Sequence, residues 1–234
     1  MNTDPASRPL PGESELVHIP RPAMWARWNR ARLIELALNS VVIAVFLRSF
    51  ALYCEVVIEK RPGVVLPDPV LSRLPVIDFT WATFAVLYVT LSVGIFFLSK
   101  HPSRLIASLQ THALMIGFRW IGMYLVPLDP PVGMIALEDP FVTTFGPSVT
   151  LTRDLFFSGH TGTMCILALT GTRKSTRVVF AVGTVVVVLF ILFQRVHYTF
   201  DVFAAPAFAY LAWRIVNGVR KAAGLPDAEA DVVS

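Results

Sequence analysis

Residues 156–170 read FFSGHTGTMCILALT, and residues 178–201 read VVFAVGTVVVVLFILFQRVHYTFD. Each is a long apolar run with an imidazole at one end, His160 in the first and His197 in the second. The runs are continuously apolar rather than alternating, so they read as helices and not as strands of a membrane barrel. A helix needs about 20 such residues to cross a bilayer. Ionisable groups are expensive there, and those that persist are functional candidates.

Working outward, the same pattern recurs along the chain. Spans are expected at 33–53, 79–98, 105–126, 156–170, 178–196 and 200–216. The expected fold class is therefore all-α: a polytopic membrane protein with six transmembrane helices. Composition agrees, with 55% hydrophobic and only 15% charged residues, which excludes a soluble globule. A formal charge of +4 does not point to nucleic acid, because the basic residues cluster beside the spans. Residues 1–23 are polar and proline-rich and read as a disordered tail. No apolar leader with a cleavage site follows them, which argues against a signal peptide. Residues 24–221 form the membrane domain, and 222–234 a second tail. From 24 to 32, Trp25 and Trp28 alternate with Arg27, Arg30 and Arg32, as in an interfacial helix or the flank of the first span. Cys54 and Cys165 lack any metal or redox spacing and read as small buried hydrophobes.

Basic residues set the orientation. Arg21, Arg27, Arg30 and Arg32 precede the first span, and Lys100 and Arg104 lie between the second and third. Arg173, Lys174 and Arg177 lie between the fourth and fifth, and Arg214, Arg220 and Lys221 end the sixth. Six spans put all four groups, and both termini, on the cytoplasmic side. The long loops 54–78 and 127–155 carry Glu55, Glu59, Asp68, Asp78, Asp129, Glu138 and Asp139 and face outward. His160 and His197 then lie at outer helix ends joined by one inner turn. Counting about 1.5 Å per residue from that turn, His160 stands roughly 20 Å up and His197 roughly 30 Å. Either the fifth span tilts or His160 lies deeper.

The chemistry-bearing residues cluster at that end. Ser158 suits an N-cap, Gly159 allows close backbone approach, and a helix start offers N–H groups to a phosphate. The plainer alternative is a capped helix with an interfacial His160. His197 and Asp201 share a helix face at i, i+4. A carboxylate on one ring nitrogen leaves the other as a nucleophile, and a second imidazole serves as acid toward a leaving alkoxide. A structural His–Asp pair is the alternative. Arg119, inside the third span, must face the bundle interior; it suits a lipid phosphate, or an ion pair with a partner such as Glu35. Tyr124, Phe156, Phe157 and Tyr198 offer either a cation cage or an interfacial aromatic belt. No P-loop, dinucleotide fingerprint or metal cluster is evident, so neither cofactor nor metal is expected.

The motifs Asp154-Leu155-Phe156-Phe157-Ser158-Gly159-His160-Thr161 and His197-Tyr198-Thr199-Phe200-Asp201-Val202 resemble those of the lipid phosphate phosphatase/phosphotransferase (PAP2) superfamily. They are closest to its sphingomyelin synthase-like branch, whose patterns are D-x-x-x-S-G-H-T and H-Y-T-x-D-V. Leu66-Pro67-Asp68 and Arg119-Trp120-Ile121-Gly122-Met123-Tyr124 are shorter matches, so the resemblance covers residues 64–214. Gly122, and Thr152-Arg153 before Asp154, depart from the branch. The resemblance implies a helical bundle with a His160–His197–Asp201 triad on the extracytoplasmic side. It implies substrate contacts from Asp154, Ser158, Gly159, Arg119 and Tyr198. It also implies transfer of a phosphocholine or related headgroup from a glycerophospholipid to a lipid hydroxyl such as ceramide. A hydrolase with the same triad is the enzymatic rival; a non-catalytic lipid-binding or transport protein is the other.

One prediction concerns orientation. With Cys54 and Cys165 replaced by serine, a Thr172→Cys variant should react with an impermeant thiol reagent from the cytoplasmic face only. Labelling from outside overturns the assignment.

Overall fold

The computed structural model describes residues 28–138 and 150–228. The tail 1–23, residues 24–27 of the stretch 24–32, Asp139, and residues 229–234 of the second tail lie outside the described residues. Six α-helices are present among them: α1 Arg30–Tyr53, α2 Thr80–Leu98, α3 Pro102–Leu125, α4 Gly159–Thr170, α5 Lys174–Phe193 and α6 Thr199–Ala222. No strand occurs among the described residues beyond an isolated bridge between Val64 and Leu128.

Local chemistry sets the helix ends. Asn29 caps α1 by accepting from Arg32 N at 2.9 Å. Pro102 opens α3, where a missing N–H loses nothing. Ser158 caps α4, and Asp201 closes the first turn of α6 onto Tyr198 N at 3.1 Å. At its outer end α1 loosens into a π-turn, Cys54–Ile58, and a short 3-10 turn, Leu71–Arg73, punctuates the loop that follows.

Four helices are long and apolar enough to cross a membrane: α1 with its π-turn, α2, α5 and α6. The other two depart from the expectation for physical reasons. At 12 residues α4 is about 18 Å long, short of a hydrocarbon core of about 30 Å. Its expected start at Phe156 is wrong by one turn, because 156–158 are not helical. In α3 the length suffices, but Arg104, Gln110, His112 and Arg119 make it too polar. It tolerates them because it is the most enclosed long helix, with Arg104, Ile106, Ala107, Thr111, Met115 and Arg119 all buried. The core surrounds α4, which packs on α2, α3, α5 and α6, whereas α1 lies against α3.

The four basic segments converge at one end of the bundle. Trp28 Nε1 donates to Ser99 O at 2.9 Å, joining the N-terminal flank to the α2–α3 turn. Arg104 Nη1 donates to Thr170 O and Gly171 O, and Arg177 Nε to Gly171 O at 2.8 Å, so two cations cap the C-terminus of α4. Arg220 Nη1 pairs with Glu35 Oε1 at 2.7 Å and with Gln110 Oε1 at 2.9 Å. Residues 223–228 fold back rather than project as a tail. Ala228 is 1% exposed and is held by Asn217 Oδ1 and Arg104 Nε.

At the opposite end, side chains brace the long loops. Asp68 accepts from Val70 N and Leu71 N, and also from Thr199 N at 2.8 Å and Thr199 Oγ1 at 3.1 Å. Partial burial pushes its carboxyl up, but these hydrogen bonds outweigh it and hold the group below the ordinary carboxylate range. Arg195, in the left-handed region at φ 57°, donates to the carbonyls of Val132, Leu71 and Leu74. Glu59 accepts from Thr152 N and Arg153 N, while Arg153 Nε donates to Asp129 Oδ1 at 2.6 Å.

Glu35→Ala removes the carboxylate partner of the buried Arg220 guanidinium in α6 and leaves it Gln110 Oε1 and Pro226 O. It should destabilise the detergent-solubilised protein by about 2 kcal/mol, read by thermal or denaturant unfolding, with Glu35→Gln milder.

Candidate active site

His160 sits in the first turn of α4 and His197 in the link between α5 and α6. Their rings lie 6.4 Å apart, centroid to centroid, at 62°. The unequal legs expected from the sequence are reconciled by the chain itself. Helix α5 stops at Phe193, and the turn through Arg195 brings the chain back before α6 starts at Thr199. His197 therefore lies lower than an unbroken helix to 196 would carry it.

Asp201, one turn into α6, faces His197: Nδ1 to Oδ2 is 3.7 Å. That is an ion-pair distance rather than a closed hydrogen bond. Catalytic contacts of this type are commonly long without substrate and tighten with it. The two side chains are almost wholly enclosed, with His197 at 1% and Asp201 at 0% exposure. His160 Nδ1, His197 Nδ1 and Asp201 Oδ1 are buried without a hydrogen-bond partner. Buried polar atoms are nearly always paired, so three such atoms on neighbouring residues make this cluster a candidate site.

The start of α4 is tied to the same carboxylate residue. Ser158 N donates to Asp201 O at 3.2 Å, while Ser158 Oγ accepts from Thr161 N at 3.4 Å and from Thr161 Oγ1 at 3.1 Å. Ser158 is thus occupied as the helix cap. Beside it, Arg119 reaches across from α3. Its Nε donates to Phe157 O at 2.8 Å and its Nη2 to Asp154 O at 2.9 Å, with Asp154 Oδ2 at 3.6 Å. Phe50 of α1 covers the guanidinium at 4.9 Å. Glu35 is engaged by Arg220 at the far end of the bundle, so Asp154 and not Glu35 is the partner of Arg119. The need for glycine at 159 is steric: a Cβ there would lie 2.4 Å from Arg119 Nη1. Arg119 Nη1 therefore lies against the N-terminus of α4, where free N–H groups and the positive helix end favour an anion.

Tyr198 is placed differently from the rest. It is buried with its hydroxyl donating to Asp129 O at 2.8 Å and accepting from Leu66 N at 3.1 Å, which makes it a brace of the outer loops. The four aromatics do not converge on a cage. Tyr124 carries Arg61 at 4.4 Å, Phe156 stacks on Phe200 at 5.1 Å, and Phe157 stacks on Phe208 at 4.3 Å. Phe84 of α2, unremarkable in the sequence, packs edge-on to the His160 ring at 6.3 Å. Both cysteines are free. Among the described residues no group of three or more His, Cys, Asp or Glu side chains is placed to hold a metal.

Together these residues put an imidazole facing a carboxylate, a second imidazole, a guanidinium and a helix N-terminus at the end of the bundle opposite the basic segments. Phosphoryl transfer needs this set: a nucleophile, an acid and anion stabilisation. Residues 153–218 match the family model described as PAP2 superfamily C-terminal. That segment contains Asp154, Ser158, Gly159, His160, His197, Tyr198 and Asp201; Arg119 lies before it. The match supports membership of the PAP2 superfamily, whose chemistry is of the phosphatase/phosphotransferase type. No curated protein matches the chain.

Gly159→Ala forces Arg119 off the helix start while leaving both histidines in place. Turnover of a phospholipid substrate should fall at least about tenfold, and the displaced Arg119 hydrogen bonds should cost up to about 2 kcal/mol of stability, so turnover is compared at a temperature where both proteins are folded.

Proposed function

We propose that the chain is a six-span lipid phosphotransferase of the sphingomyelin synthase-like kind. It moves a phospho-headgroup, phosphocholine or phosphoethanolamine, from a glycerophospholipid to a lipid hydroxyl such as ceramide. The observation that carries this reading is the grouping of His160 with the buried His197 and Asp201 beside the Arg119-flanked start of α4.

The roles follow from the geometry. Asp201 lies on the Nδ1 side of His197, which leaves Nε2 as nucleophile. Nε2 attacks phosphorus and the bond from phosphorus to the diacylglycerol oxygen breaks. His160 supplies the proton that this oxygen takes up. In the second step the acceptor hydroxyl attacks phosphorus, His160 takes its proton, and the phosphorus–nitrogen bond breaks, which restores both imidazoles. Arg119 and the first N–H groups of α4 stabilise the phosphoryl oxygens throughout. Asp154 holds Arg119 in place, and at 29% side-chain exposure it is more open than Arg119, His197 or Asp201.

Enclosure of His197 favours transfer over hydrolysis, since a phosphohistidine shielded from water survives until a lipid acceptor arrives. In the proposed orientation the basic end is cytoplasmic and the triad serves the extracytoplasmic leaflet. The two helices outside the span criteria, α3 and α4, then cross as enclosed members of the bundle, with outer-loop residues completing the thickness above α4.

Purified protein in liposomes should convert headgroup-labelled phosphatidylcholine and ceramide into labelled product lipid. Label released only as free phosphocholine identifies a hydrolase, and full activity in His197→Ala removes the mechanism in both versions.

A further inference from the structure

Threonines inside helices ordinarily return the hydroxyl to the backbone. Thr111, Thr170 and Thr184 do so, each donating to the carbonyl four residues back at 2.7, 2.7 and 2.8 Å. Thr83 of α2 does not. It is 0% exposed, and its Oγ1 is buried with no hydrogen-bond partner. A hydroxyl shut away from water without a partner destabilises a fold, so a chain that keeps one has a use for it.

Its place on α2 indicates that use. Seven and eleven residues are close to whole helical turns, so Thr83, Thr90 and Gly94 share one face. Gly94 meets Leu167 of α4, and Thr90 Oγ1 lies against Gly183 of α5. Thr83 therefore points into the seam between α4 and α5, roughly 10 Å outward of Thr90. Counted from the Gly94–Leu167 contact, Thr83 lies about 6 Å outward of His160, whose ring centroid is 6.3 Å from that of the adjacent residue Phe84. Phe84, the next residue on α2, packs against the His160 ring, and Thr83 Oγ1 is, like His160 Nδ1, His197 Nδ1 and Asp201 Oδ1, buried without a hydrogen-bond partner. It comes from a helix that otherwise gives the site only apolar contact.

We infer that Thr83 is a substrate-contacting residue: its hydroxyl hydrogen-bonds the lipid oxygen that exchanges a proton with His160. That oxygen belongs to the departing diacylglycerol in the first step and to the acceptor alcohol in the second. The inference rests on the phosphotransfer reading, and it assigns α2 the lipid-alcohol side of the site opposite Arg119.

The test compares full-length wild type, Thr83→Val and Thr83→Ser. Thr83→Val keeps the shape and removes the hydroxyl. It should leave the thermal midpoint unchanged or higher, lower transfer about tenfold, and shrink the stabilisation given by added dioctanoylglycerol. Thr83→Ser should stay within about twofold of wild type in transfer. A lower midpoint for Thr83→Val would mark the hydroxyl as structural and overturn the inference. Equal dioctanoylglycerol shifts in wild type and Thr83→Val, including none in either, would also overturn it. If wild type transfers nothing yet is stabilised by dioctanoylglycerol, the phosphotransfer reading fails, and the difference in shift still decides Thr83.

Discussion

Asp201 is the junction on which the rest of the molecule depends. Its Oδ2 accepts from Tyr198 N and so starts α6, and the same oxygen faces His197 Nδ1. Its backbone carbonyl accepts from Ser158 N, the residue that caps α4. One residue thereby ties the starts of two helices to the His197 ring. Asp68 reinforces it from the outer loop by holding Thr199 N and Oγ1, so α6 has a capped N-terminus despite carrying its acid in an apolar bundle.

The energetics of the site run against those of the scaffold. A buried carboxylate and imidazole at 3.7 Å, with neither fully hydrogen-bonded, destabilise the bundle locally. Packing elsewhere offsets this. Leu155, Phe157, Met164, Ile166 and Val202 enclose the start of α4 and α6, and the Phe157–Phe208 stack locks them. The far end is held by charge: Arg104, Arg177 and Arg220 bind backbone carbonyls and Glu35. The division is sensible for a membrane enzyme. Charge pairing braces the basic end, while the unpartnered atoms of His160, His197 and Asp201 cluster at the opposite end.

Much of this was legible in the sequence. The apolar runs placed α1, α2, α3 and α5 within a few residues, because continuous hydrophobicity is a local signal. The serine cap and the i, i+4 histidine–aspartate spacing were local too. What failed was tertiary in origin. The apolar pair Phe156-Phe157 reads as helix, yet these residues fold as the approach to Ser158 and pack against Phe200 and Phe208. Tyr198 reads as a headgroup contact, but its hydroxyl is taken by Asp129 O and Leu66 N, some 69 and 132 residues away. Glu35 was the candidate ion-pair partner of Arg119, but the fold sets it beside Gln110, nine residues or about 14 Å along α3 from Arg119. Phe84 and Thr83 gave no signal at all, since nothing local records the register of α2 against α4.

The central claim is that the headgroup passes through His197. Stereochemistry at phosphorus tests it most directly, with a phosphatidylcholine carrying a chiral phosphorothioate and ceramide as acceptor. Two successive in-line displacements predict overall retention of configuration in the product, accompanied by acid-labile label on the peptide containing His197 after an alkaline quench. Inversion, with no labelled peptide, means a single direct displacement and contradicts the account.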